Sequence, residues 1–182
     1  MRNHQTVRAL ILSALLLTLA ACATVPPTDA GRQDLIDGAQ NTIRRFMAID
    51  PDLTHFFQTA YGYAVFPNVG KGGLGLGGAY GRGIVYQNGK MTGYCDLTQG
   101  SIGAQIGGQT YSEVIFFQSK TTYDQFTSSQ FVLAAGASAI VAKSGAAASA
   151  DYQLGVLVFT QPDKGFMFEA SVGGQEFTYE PR

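Results

Sequence analysis

The chain has 182 residues, and its 12 basic and 13 acidic side chains give a formal net charge of −1. These charges are dispersed along the sequence, which argues against nucleic acid as a partner because nucleic acid is bound by a concentrated positive surface. Two cysteines and two histidines are too few for a zinc site of ordinary ligand spacing. We therefore expect neither nucleic acid nor a bound metal.

The N-terminus predicts export. Arg2 and Arg8 accompany an apolar run at residues 9–19, which is the order of a secretory signal. The run is shorter than the roughly 20 apolar residues of a membrane-spanning helix. It ends in the sequence LAAC, whose cysteine is Cys22 and which resembles the lipobox of bacterial lipoproteins. That resemblance implies that residues 1–21 are removed and that the Cys22 thiol carries a diacylglycerol. The alternative is an ordinary signal peptide followed by an unrelated cysteine.

Residues 22–31 predict a linker, because the Pro26-Pro27 pair favours an extended path. Residues 32–182 then predict a single domain. Ala23 stands where an aspartate would resemble an inner-membrane retention signal. We therefore expect attachment to the outer membrane, with the domain facing the periplasm. Without residues 1–21 the chain keeps 161 residues, and 10 basic against 13 acidic side chains give a net charge of −3.

Two helices are predicted at the start of the domain. The first covers about residues 32–48, where apolar side chains recur with a 3.6-residue period. A second short helix through Phe56 and Phe57 is expected to begin at Asp50-Pro51, because aspartate suits an N-cap and proline suits the first helical position. The apolar face of the first helix predicts packing against a sheet, with direct membrane contact as the alternative.

A glycine-rich strand is predicted at residues 72–86, where glycine or alanine occupies every odd position from 73 to 83. Side chains alternate between the two faces of a strand, so one face is almost bare backbone. Such a row predicts a close neighbour, and we expect a Cβ added at Gly75 or Gly77 to meet one. The length of the segment predicts a bend near Gly77-Gly78.

Asn88-Gly89 predicts a tight hairpin after this strand. Further strands are predicted at about 93–97, 101–109, 113–118, 139–141, 152–160 and 166–172, with a closing strand after Gly173-Gly174. A short helix is expected at about 122–131, with Tyr123 and Phe126 turned inward. The predicted fold class is α+β, with an antiparallel sheet that can close toward a barrel and N-terminal amphipathic helices packed on it.

No motif predicts catalysis. The match to G-x-G-x-x-G at residues 73–78 leads into more strand rather than opening a helix, so it does not fit a dinucleotide site. His55 is the only histidine left after residue 21, and Cys95 has no nearby cation to activate its thiol. No pair of carboxylates suggests acid–base chemistry. We expect a protein that is not an enzyme and has no cofactor.

Lys71 and Arg82 flank the glycine-rich strand and are the only basic residues between Arg45 and Lys90. A cation beside exposed glycine amides is suited to a phosphate group. The two residues are therefore candidate ligands for a lipid headgroup, and the alternative is a pair of solvated charges at strand ends.

Four segments in order resemble the SYLF domain, a family also called Ysc84-type lipid-binding or actin-regulator domains. They are YAVFPNVGKGGLGLGG at 63–78, YGRGIV at 80–85, SIGAQIGGQ at 101–109 and KGFMFEASVGG at 164–174. The resemblance implies membrane binding, in eukaryotic members through phosphoinositide headgroups, and in some members actin binding. One departure is that Tyr94-Cys95 stands where members typically carry a tryptophan.

An exported bacterial protein meets neither phosphoinositides nor actin, so the resemblance extends to lipid association without naming a lipid. The leading interpretation is an outer-membrane lipoprotein whose domain binds a phospholipid membrane through Lys71 and Arg82. The alternative is an adaptor or scaffold for another envelope protein, attached to the membrane through Cys22 alone.

Overall fold

The computed structural model describes residues 24–129, 131–133 and 139–182, with the backbone alone at 166 and 168–173. The predicted signal at 1–21 and the lipid-attachment residue Cys22 lie outside these residues. Within the described part of the chain, no helix combines the length and hydropathy needed to cross a bilayer.

The described residues contain three α-helices: α1 at Asp29–Ile49, α2 at Leu53–Thr59 and α3 at Lys120–Thr127. Thr28 is the N-cap residue of α1. Its side chain accepts a hydrogen bond from the Gly31 amide, which satisfies one of the free donors of the first turn. The amphipathic helix expected at 32–48 is confirmed and begins three residues earlier.

The chain turns between α1 and α2 around a buried carboxylate. Asp50 is fully buried, and its Oδ2 accepts a hydrogen bond of 2.7 Å from the Ala147 amide. Helix α2 has Asp52 as its N-cap residue, so the N-cap predicted at Asp50 is wrong by two positions. Asp50 instead holds the α1–α2 corner against a distant segment.

In the part of the chain that the structure describes, five strands form one sheet: β1 at Gly62–Gln87, β2 at Lys90–Phe117, β3 at Val132–Leu133, β4 at Ile140–Val141 and β5 at Val156–Pro181. Their order is β1-β2-β5-β3, all antiparallel, while β4 pairs with β5 in parallel. The hairpin predicted at Asn88-Gly89 joins β1 to β2, and both residues have positive φ, 49° and 74°, as a type I′ turn requires.

The sheet curls into a half-barrel, so the predicted α+β class with a barrel-like antiparallel sheet is confirmed. β1 and β5 are not neighbours in the sheet, yet the rings of Phe66 and Phe177 lie 5.8 Å apart between centroids. The two halves of β1 also approach each other closely. A Cβ at Gly81 would lie 3.0 Å from the Asn68 carbonyl oxygen, and one at Gly83 would lie 2.7 Å from that of Val65. The glycine row therefore allows the close backbone approach that the sequence predicts.

Both faces of the sheet bury apolar side chains. One face packs against α1 and α2, with Phe46, Phe56 and Phe116 among the buried contacts. The opposite face is enclosed by the curl and closed by α3, whose Tyr123 and Phe126 point inward as predicted. These two cores cover most of the sheet and leave one bend of the β1–β2 ribbon outside them.

Candidate functional site

The β1–β2 ribbon bends at Gly75. The pairing register shifts between Leu74 and Leu76, and Gly75 has φ of +71°, a conformation that costs about 1–2 kcal/mol for an ordinary residue. The bend predicted at Gly77-Gly78 is thus present two residues earlier. A Cβ at Gly75 would meet nothing within 4 Å, so the close neighbour expected there is wrong, and the glycine serves the backbone angle. At Gly77 that expectation is confirmed, because a Cβ would overlap the Gln105 side chain.

Gln105 holds the bend in place from the neighbouring strand. Its Oε1 accepts a hydrogen bond of 2.9 Å from the Ser101 hydroxyl, and its Nε2 donates to the carbonyl oxygens of Ser101 and Gly75 at 3.1 and 3.3 Å. Both side chains are only 4% exposed. Ser101 and Gln105 are therefore committed to the structure of the bend and are not available to a ligand.

Four large aliphatic side chains stand in solvent at this bend, and we call them the aliphatic tip: Leu74, Leu76, Ile102 and Ile106, which are 77, 68, 70 and 59% exposed. They form two cross-strand pairs, because Leu74 is opposite Ile106 and Leu76 is opposite Ile102. Exposed aliphatic side chains grouped in this way mark an interaction surface more often than isolated ones do.

The aliphatic tip lies in an uncharged part of the ribbon. No charged residue occurs between Lys71 and Arg82 in β1, or between Asp96 and Glu113 in β2. The adjoining part of β5, residues 165–175, contains one charged residue, Glu169, which is opposite Gln105. The β1 and β2 residues next to the tip are therefore uncharged.

The predicted headgroup residues have different surroundings. The Arg82 Nε donates to the Tyr80 hydroxyl at 3.0 Å and lies 3.7 Å from a carboxylate oxygen of Asp96. Burial raises the pKa of Asp96, and the hydrogen bond from Thr24 and the charge of Arg82 act against that rise. Much of the Arg82 charge is thus offset by an internal partner. Lys71 lies opposite Gln109 and three residues before Leu74, so it flanks the tip.

Lys71 also lines a cavity of about 250 Å³ between β1, β2, β4 and β5, together with Gln109, Tyr111, Glu113, Val141 and Pro162. Glu113 is 1% exposed, and its Oε2 accepts a hydrogen bond of 3.1 Å from Gln175. Its Oε1 has no hydrogen-bond partner among the described residues. Burial raises the pKa of Glu113 to about 7, while the Gln175 hydrogen bond and the Lys71 charge lower it. Sequence reasoning missed Glu113.

The residues considered for catalysis lie apart from the tip. His55 is exposed on α2 and packs its ring edge-on against Phe56, with 5.6 Å between centroids. Cys95 is fully buried, and burial raises the pKa of its thiol well above the ordinary value. Among residues 24–129, 131–133 and 139–182, no group of three or more His, Cys, Asp or Glu side chains is arranged to hold a metal ion.

This geometry defines the class of protein: a curled α+β domain with an exposed aliphatic bend. The family model Ysc84, described as "Las17-binding protein actin regulator", matches residues 98–180, which include Ser101, Gln105 and Glu113. The resemblance to the SYLF or Ysc84 family is thereby confirmed for this part of the chain. The chain is also 28% identical over 141 residues to "Beta cell expansion factor A" of Aeromonas veronii. That match covers 76% of this chain and 53% of the relative, so the chain spans about half the length of that curated relative.

Proposed function

We propose that this protein is a lipid-anchored, non-enzymatic protein of the bacterial outer membrane whose Ysc84-type domain binds phospholipid on the periplasmic side. The observation that carries the proposal is the aliphatic tip. It presents four exposed side chains on an uncharged bend, and neither buried core of the described residues includes any of them.

The free energy of apolar transfer favours insertion of the aliphatic tip into a membrane. Moving one such half-to-three-quarters exposed side chain from water into an apolar phase contributes about 1–2 kcal/mol. The free-energy cost of bringing a protein to a surface, about 4–15 kcal/mol at the 1 M standard state, is of the same order as the sum for the tip. A lipid on Cys22 would raise the effective concentration of the domain at the surface and so reduce that cost.

The two candidate cations support contact with phospholipid unequally. A basic side chain close to an anionic membrane contributes roughly 1 kcal/mol. Lys71 flanks the aliphatic tip and is placed to meet a headgroup when the tip enters the bilayer. Arg82 is expected to contribute less, because Asp96 lies 3.7 Å from its Nε and offsets part of its charge.

Flotation with phospholipid vesicles tests the proposal. The protein begins at residue 22 and carries Cys22→Ala, so binding reports on the domain alone. The double change Leu76→Gln and Ile102→Gln removes one cross-strand pair of the tip and should weaken binding at least thirtyfold, from about 2 kcal/mol of lost apolar transfer. Raised salt should weaken only the part of the vesicle binding that Lys71 and Arg82 contribute.

Leu154→Gln is the matched control, because Leu154 is 99% exposed and lies just before β5, outside the aliphatic tip. Its binding should equal that of the unchanged domain. If the domain without its lipid binds no vesicle at low salt, the membrane proposal is overturned, and an adaptor for another envelope protein becomes the better account.

A further inference from the structure

The cavity that Lys71 and Glu113 line contains a carboxylate oxygen with no hydrogen-bond partner among the described residues. Glu113 is 1% exposed, and its Oε2 is held by Gln175. Its Oε1 has no hydrogen-bond partner among the described residues. A buried acceptor in this state destabilises the fold, and more so when it is charged. Native proteins rarely retain such a group without a use for it.

Two opposite charges line this one cavity. Glu113 lies at its buried side, and Lys71, which is half-buried, lies at the side toward the tip. Their charges interact, because Lys71 lowers the pKa of Glu113. The arrangement suits a small zwitterion whose positive end meets Glu113 and whose negative end meets Lys71.

We propose that this cavity binds a phosphoethanolamine group, with the primary ammonium donating a hydrogen bond to Glu113 and the phosphate lying beside Lys71. The inference rests on the membrane contact proposed above, because the bilayer that receives the tip would supply the group. A cavity of about 250 Å³ has the volume of roughly eight water molecules, which matches the roughly eight non-hydrogen atoms of phosphoethanolamine.

The number of N–H donors distinguishes phosphoethanolamine from phosphocholine. A primary ammonium has three N–H donors, as in lysine, and can satisfy Glu113 Oε1. The quaternary ammonium of phosphocholine has the same charge and an equivalent phosphate but no donor. Phosphatidylcholine is therefore the matched control lipid for phosphatidylethanolamine.

The first experiment compares vesicles that differ only in this headgroup. All hydrogen bonds described above lie within residues 24–182, so a protein beginning at residue 22 with Cys22→Ala keeps them. Phosphatidylcholine vesicles with a fixed anionic fraction are compared with vesicles in which part of the phosphatidylcholine is replaced by phosphatidylethanolamine. The unchanged domain should bind the second set about tenfold more tightly, because only the primary ammonium donates a hydrogen bond to the Glu113 carboxylate.

Glu113→Gln should abolish this preference and leave binding to phosphatidylcholine vesicles intact, because it removes the charged acceptor but keeps the shape. Glu176→Gln is the control, since it makes the same charge change at an exposed position of β5 and should keep the preference. Equal binding of the unchanged domain to both vesicles would overturn the inference, and so would a preference that survives Glu113→Gln. The comparison on the unchanged domain stands even if the variant fails to fold.

The second experiment separates a lipid from a free molecule with the same headgroup. Glycerophosphoethanolamine and glycerophosphocholine are titrated into the protein and followed by NMR, and only the first should give saturable shifts that depend on Glu113. If these shifts appear but the domain shows no preference for vesicles with phosphatidylethanolamine, the bilayer is not the source of the bound group. A domain that binds no vesicle contradicts the proposed function, whereas tip-dependent binding without headgroup preference contradicts this inference alone.

Discussion

Two buried carboxylates, Asp96 and Glu113, differ in the number of polar neighbours that surround them. Asp96 is 9% exposed and has three polar neighbours, namely Arg82, Tyr80 and Thr24. Glu113 is more deeply buried and has one hydrogen-bond donor, Gln175, on one of its two oxygens. A buried carboxylate with fewer donors is harder to ionise, and this difference makes Glu113 the residue whose protonation has the larger effect on folding.

Glu113 predicts a loss of stability as the pH rises. Its pKa is raised from 4.5 to about 7 by burial, so the folded chain holds the proton more tightly than the unfolded chain does. The stabilisation is fully present below the unfolded pKa and is lost as the pH rises through about 7, a difference of roughly 3 kcal/mol. Lys71 from β1 and Gln175 from β5 act on Glu113 in the opposite direction.

Urea denaturation measured from about pH 5 to about pH 8 checks this prediction. Glu113→Gln should flatten the pH dependence and be more stable than the unchanged protein at the upper end. The comparison between the two proteins isolates Glu113, because Asp96, whose pKa is also raised by burial, is present in both. An unchanged pH slope in the variant would show that Glu113 ionises freely in the folded state.

The sequence singles out Lys71 and Arg82 as candidate headgroup residues. It does not single out Glu113, and the reason is physical. The segments expected at 93–97, 101–109 and 113–118 are a single strand, β2, of 28 residues. In a short strand Glu113 would be the first residue and exposed, whereas in the continuous strand it lies in the interior of the curl. The pairing of β2 with both β1 and β5 over its whole length is a long-range property that local turn residues do not reveal.

At the scale of elements, the glycine positions of β1 have different uses. Gly75 provides a positive φ at the bend, while Gly81 and Gly83 permit the two halves of the strand to approach. Their alternating pattern predicted close packing, and this holds at Gly73, Gly77, Gly81 and Gly83 but not at Gly75. It did not reveal the backbone angle at Gly75, because a period of two does not report φ.

Gly83→Ala should destabilise the fold by about 1–3 kcal/mol. The new Cβ would lie 2.7 Å from both the Val65 carbonyl oxygen and a ring carbon of Phe66, so the two halves of β1 would have to separate. Gly70→Ala is the control, because a Cβ there meets nothing within 4 Å. It should be neutral or slightly stabilising through the lower entropy of the unfolded chain. Urea denaturation measures both, and equal stabilities would show that the halves of β1 are not in contact.

At the scale of the whole molecule, the two cores account for the fold without the aliphatic tip. Helices α1 and α2 cover one face of the sheet, and the curl with α3 encloses the other. The tip therefore adds exposed apolar surface to a domain that is already closed. Surface of this kind opposes solubility, which is the reason for assigning it a membrane rather than a role in folding.

The start of the described chain lies close to Asp96, the ion-pair partner of Arg82. Thr24 is buried, its hydroxyl is 3.3 Å from that of Thr178, and it also donates to Asp96, the ion-pair partner of Arg82. Cys22 is two residues earlier, so an extended chain places it within about 7 Å of Thr24 along the backbone. A lipid on Cys22 would thus hold the Arg82 side of the ribbon near the headgroups.

We propose that attachment of the whole molecule to the membrane depends on a lipid carried by Cys22. Two acyl chains give stable membrane binding, at about 0.8 kcal/mol per buried CH₂, while one chain gives only marginal binding. Metabolic labelling with a fatty acid and intact-mass measurement should show a labelled protein that begins at Cys22. Cys22→Ala should carry no label and retain residues 1–21. Cys95→Ala should remain labelled, because Cys95 is fully buried and inaccessible to acylation. Label that survives Cys22→Ala, or an unmodified N-terminus at another residue, would exclude the lipid anchor on Cys22.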